Sequence, residues 1–101
     1  MNRLPLEIHP EAIAEARAAR QWYQMRSDDA AKAFLAELDI GIESIWTAPE
    51  LYPPYLHGTR CYLLRRFPYL IVYRAASTTI QVFAVAHSRR RPGYWKARST
   101  G

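Results

Sequence analysis

A chain of 101 residues, half of them hydrophobic and thirteen aromatic, has enough apolar material for one core and too little length for two, which excludes a disordered tail or a multidomain enzyme. Its net charge of +5 is unevenly laid out. The first fifty residues hold all nine acidic side chains and five basic ones, whereas Leu51–Gly101 has no Asp or Glu and nine Lys or Arg. Such a half-molecule predicts a positive face and an anionic partner.

No stretch of 18 or more apolar residues is present, and the amino terminus lacks the apolar core of a secretory signal, so a cytoplasmic protein with no membrane association is expected. The single cysteine, Cys61, has no partner for an internal disulfide and reads as a small strand hydrophobe. His9, His57 and His87 are far apart in sequence, and neither a phosphate-binding glycine loop nor a metal-ligand spacing occurs. No metal and no cofactor are expected.

In chain order, Arg3–Ile8 alternates loosely and predicts a short strand that Pro5 confines to an edge or delays. Pro10 opens a helix over Pro10–Arg26, with Glu11 and Glu15 in the first turns where the helix dipole favours carboxylates. After the break at Ser27–Asp29, a second helix over Asp29–Thr47 carries an apolar stripe of Ala31, Phe34, Leu35, Leu38, Ile42, Ile45 and Trp46. Glu37, Asp39 and Glu43 fall mostly outside that stripe. Pro49–Thr59 is a Pro- and Tyr-rich connection. Three strands follow, Arg60–Phe67, Tyr69–Ala75 and Thr79–His87, the first two joined at a tight Phe67–Pro68 corner. Tyr69–Tyr73 is apolar on both faces, so each face needs a cover or one is a binding surface, and a helix pair covers only one. One domain over residues 1–101 is expected, α+β in class with β-α-α-β-β-β order.

The candidate chemistry gathers at the end of this array. His87 closes the last strand, on the same side of the alternation as Phe83 and Val85, and runs straight into Ser88 and Arg89–Arg91. An imidazole beside guanidiniums suits acid or base work at a phosphodiester; a strand-end imidazole bonded to backbone is the competing reading. Arg65 and Arg66 alternate, so only one shares a site with His87, and counting in twos favours Arg65. Arg60, Arg66 and Arg89–Arg91 are candidate target-binding cations, their planar forks suited to phosphate or carboxylate. Tyr94 and Trp95 join them as stacking residues. Folding back to cap the core is the alternative for both, and for Trp95 the preferred one.

The stretch Arg65–Tyr73, together with Ala84–Pro92, resembles the RelE/ParE superfamily of toxins from bacterial type II toxin–antitoxin modules, also called plasmid stabilisation proteins. The order of elements is similar over nearly the whole chain. The resemblance implies a small curved antiparallel sheet with a helical hairpin on one face, and a cognate antitoxin that wraps the toxin with an acidic or amphipathic segment. It also implies either a homodimer or a toxin–antitoxin hetero-oligomer. RelE-like members cleave mRNA on the ribosome; ParE-like members poison DNA gyrase. In the nuclease case the resemblance assigns catalysis to His87 and Arg65, and Tyr94 stands near a family tyrosine. The lysine-rich strand set of the strongest nucleases is missing, which moves the expectation to a ParE-like inhibitor. The alternatives are a ribosome-dependent mRNA endoribonuclease and a non-toxic basic interaction module.

Overall fold

The computed structural model describes residues 3–100. Its elements are β1 (Leu6–Ile8), α1 (Pro10–Gln24), α2 (Asp28–Thr47), β2 (Arg60–Leu63), β3 (Tyr69–Ala75) and β4 (Ile80–His87), with short 3-10 turns at Leu56–Gly58 and Lys96–Ser99. The sheet order is β1-β4-β3-β2. The antiparallel arrangement holds for β2, β3 and β4, whereas β1 adds to β4 in parallel, making the sheet mixed. Connectivity permits parallel addition: β1 leads through the helical hairpin and β2–β3, a connection long enough for β4 to return beside it in the same direction.

Each helix starts where a side chain serves the free amides. The His9 ring accepts from Glu11 N, and the Ser27 hydroxyl accepts from Ala30 N at 2.9 Å. Pro5 does delay the first strand: its carbonyl accepts from Ile80 N, pairing runs from Leu6 to Ile8, and His9 N closes the ladder on Val82 O. Beyond Val82 that side of β4 has no strand beside it among the described residues.

The sheet has two covers, as the doubly apolar β3 requires. On one face, Ile71, Tyr73, Ile80, Val82 and Val85 pack under Ala12, Ala19, Phe34, Leu38 and Ile45 of the helices. On the other, Val72, Ala84 and Ala86 lie under Trp95, flanked by Tyr55, Leu70 and Tyr94. Gly93, in the left-handed region at φ 83°, turns the chain so that the tail comes back over the sheet.

Regular pairing breaks in two places. The strand expected over Arg60–Phe67 ends at Leu63, and residues 64–68 form a bend rather than a two-residue corner. In β4 the register slips: Val72 faces Ala84 while Tyr73 faces Val82, so Phe83 is the extra residue of a β-bulge.

Candidate target-binding site

The bulge decides where His87 points. Val82 belongs to the helix-side core and Ala84 to the tail-side core, and Phe83 sits under the Arg74 guanidinium (5.0 Å), which is itself bonded to Gln81 and the Ser99 carbonyl. After one inserted residue, Val85 and His87 return to the helix face. His87 therefore shares a side with Val85 but not with Phe83, correcting the simple count of alternate residues. Its ring meets Tyr69 edge-on at 5.1 Å, and it lines a cleft of about 450 Å³ with Glu15, Ala18, Ala19, Trp22, Tyr23, Tyr69 and Arg90.

His87 Nδ1 accepts a hydrogen bond from the Arg89 backbone N–H at 3.1 Å. In the neutral ring the proton is then on Nε2, so the nitrogen left for a ligand is a donor, not a base. The backbone-bonded reading of this histidine describes its geometry.

Arg65 does not join His87 in the cleft. The count in twos fails because the chain has left the strand by residue 64. The cause is Glu37, a buried carboxylate on α2 whose Oε1 accepts from both Arg65 N (2.9 Å) and Arg66 N (3.0 Å), while Oε2 holds the Arg66 side chain. Burial by itself would raise the Glu37 pKa. The backbone N–H and side chain of Arg66, with the N–H of Arg65, outweigh it and keep the carboxyl below its usual range. Both arginine side chains extend outward from this bend, Arg66 paired to Glu37 and Arg65 exposed without an ion pair among the described residues.

The tail is organised by a second carboxylate. Glu15 Oε1 accepts from Val85 N and from Arg98, both at 3.0 Å; Oε2 accepts from the Tyr94 hydroxyl at 2.6 Å and from Arg90 at 3.2 Å. Arg98 also reaches the Phe83 carbonyl, and Arg90 stacks on Tyr94 at 3.6 Å. Burial and the bond to Glu15 push the Tyr94 phenol up to about 12.

Of the remaining candidates, Trp95 is 1% exposed and is core, closing the tail side of the sheet, so its ring is not presented for stacking. Tyr94 is half-buried, its hydroxyl committed to Glu15. Arg60 donates to the Tyr52 carbonyl at 2.7 Å and braces the Tyr-rich connection against β2. Arg89 and Arg91 are exposed and, like Arg65 and Lys96, make no ion pair among the described residues. The bridges from Arg66, Arg90 and Arg98 to helix carboxylates trim the expected positive face to the end of the sheet and its tail. Glu15 and Glu37 carry this arrangement, and neither was among the sequence candidates. The expectation that Glu37 falls outside the apolar stripe is corrected: it stands three residues after Phe34 and four before Gly41, a spacing that puts it on the buried side of α2.

The model for the ParE toxin of the type II toxin–antitoxin system parDE matches residues 6–92. The chain belongs to the ParE toxin family. A solved structure described as the chromosomal ParDE toxin–antitoxin system from P. aeruginosa has the same fold, with a TM-score of 0.72 and 18% identity, covering 83% of this chain and 95% of that one. Among curated proteins none matches. This ParE-family chain is thus the toxin component of a type II module, and such a module implies a cognate antitoxin. The nuclease and non-toxic alternatives are not favoured. No helix among the described residues is long and apolar enough to cross a membrane.

Proposed function

We propose that this ParE-family toxin acts in the cytoplasm by binding rather than by cutting. The cationic end of the sheet, with Arg65, Arg89 and Arg91 foremost, engages a protein–DNA target of the DNA gyrase class, and an acidic segment of the antitoxin neutralises it. The observation that carries this reading is the state of His87: Nδ1 is occupied by a backbone N–H, Arg65 lies outside its cleft, and Arg90, the arginine that lines the cleft, is held by Glu15. A general base at a phosphodiester needs a nitrogen lone pair aimed at the proton it takes, and here that lone pair is turned to the Arg89 N–H. A binding face needs only exposed charge.

Induced expression in a sensitive bacterium tests it. The expected outcome is growth arrest with filamentation and DNA breaks, unchanged mRNA ends, and toxicity retained in His87→Ala but lost in Arg89→Glu/Arg91→Glu. New cleavage ends in ribosome-bound mRNA that vanish with His87→Ala would overturn it in favour of the endoribonuclease.

A further inference from the structure

We infer that the cleft lined by His87 is a nucleotide-binding site, taking an unpaired base among Trp22, Tyr23 and Tyr69 and its phosphate against Arg90 and the arginines that flank it. This deepens the target-binding reading and rests on it for the cellular source of the nucleotide, a DNA strand. Four rings follow one another along the cleft. Trp22 meets Tyr23 edge-on at 5.0 Å, Tyr23 meets Tyr69 at 6.4 Å, and Tyr69 meets His87 at 5.1 Å. Tyr23 has a core reason to be there, since it stacks on the buried Phe34 at 5.4 Å. Trp22 has none. It is 49% exposed and lies under the Arg26 guanidinium at 3.3 Å, which also bonds the Trp22 carbonyl. An exposed indole held in place by its own helix contributes little to the core and offers a preset stacking surface.

The polar groups left free in the cleft are donors. The hydroxyls of Tyr73 and Tyr94 are bonded within the protein, whereas those of Tyr23 and Tyr69 have no partner among the described residues. No side-chain polar atom there is buried without a partner, so both hydroxyls are open to solvent. Burial raises the pKa of both phenols, which keeps them protonated at neutral pH. The neutral His87 ring adds an Nε2–H. Aromatic walls with converging donors suit the carbonyl edge of a base, and about 450 Å³ is the size of a small-ligand site. Glu15 offers no free charge to repel an anion, being matched by Arg90 and Arg98. Arg89 and Arg91 flank Arg90, exposed and without an ion pair among the described residues, for the phosphate. A peptide would bring ring and charge on separate residues. One nucleotide carries both, as the rings and the arginines adjoin here.

The test titrates the ¹⁵N-labelled full chain with hexathymidylate, an abasic hexamer of equal charge, a short blunt duplex, thymidine monophosphate and a blocked Tyr-Asp dipeptide. Hexathymidylate is expected to shift the Trp22 indole N–H and the Arg89 amide saturably and to leave the Trp46 indole, bonded to the Leu4 carbonyl, unmoved. Trp22→Ala, and the abasic hexamer on the unaltered chain, should each weaken binding about tenfold. Arg89→Ser/Arg91→Ser should weaken it about tenfold and flatten its salt dependence. No shift at Trp22 with millimolar hexathymidylate overturns the site. Undiminished binding of the abasic hexamer or by Trp22→Ala, or a duplex that binds as well as the single strand, overturns base insertion. Equal binding of the dipeptide overturns the nucleotide in favour of a protein ligand. Hexathymidylate tighter than the monophosphate by about tenfold or more assigns the nucleotide to a strand, and a smaller difference assigns it to the free pool. Growth arrest by a chain that fails to bind refutes this inference alone, and binding by a non-toxic chain refutes the functional reading alone.

Discussion

Glu37 shows how much one side chain can set. It is a carboxylate in the core of an α2 face, and it substitutes for the strand pairing that residues 65 and 66 give up. Its folded pKa is depressed, so the stability it contributes is present above the unfolded carboxylate pKa and is lost as pH falls through the lower folded value. Glu37→Gln should cost about 2 kcal/mol at neutral pH, since the amide accepts fewer charge-assisted bonds. It should also flatten the acid limb of urea-unfolding stability measured between neutral and acidic pH. Trp95 is the matching case on the other face. With its ring buried against Val72, Ala84 and Ala86, Trp95→Ala should lower the urea-unfolding free energy by about 3 to 5 kcal/mol, the range for emptying an aromatic site. A surface stacking residue would cost almost nothing.

Among the elements, α2 and β4 each depart from their idealised pattern for a reason visible only in the packing. Gly41 lies mid-helix, where propensity alone favours Ala by about 1 kcal/mol. A Cβ there would sit 2.8 Å from Ile71 Cδ1 and 2.9 Å from Tyr62 Cε1, one of them in a fully buried side chain. Gly41→Ala is therefore expected to lower the melting temperature, the crowding of about 1 to 3 kcal/mol exceeding the propensity gain. The helices themselves were legible: the His9–Pro10 start, the Ser27 cap and the Phe34–Trp46 stripe are local signals. The bulge at Phe83 was not, because a run of Val, Phe, Ala, Val and Ala buried on both faces has no polar residue to mark which side each one takes.

At the scale of the molecule the charge divides by partner. Arg66, Arg90 and Arg98 return to carboxylates of the helices, while Arg65, Arg89, Arg91 and Lys96 face solvent. The two groups should separate by mutation. Arg98→Ala removes a mostly buried partner of Glu15 and should destabilise by about 2 kcal/mol in chemical denaturation. Arg89→Ala should leave stability within about 0.5 kcal/mol and instead weaken association with the antitoxin or target, more so at low ionic strength.

The order of the elements, the apolar faces of both helices apart from Glu37, the need for two covers on the sheet and the acid-free second half were all properties of the sequence, because periodicity, caps and composition act over a few residues or by simple sum. Which arginines remain available, where His87 points and what Trp95 does were decided by tertiary structure. Glu15 reaches Arg90, Tyr94 and Arg98 across 75 to 83 positions of chain, and Glu37 reaches Arg66 across 29. Pairings at that separation are set by the register of the sheet and the angle at which the helices lie on it, and neither is written in any local stretch of residues.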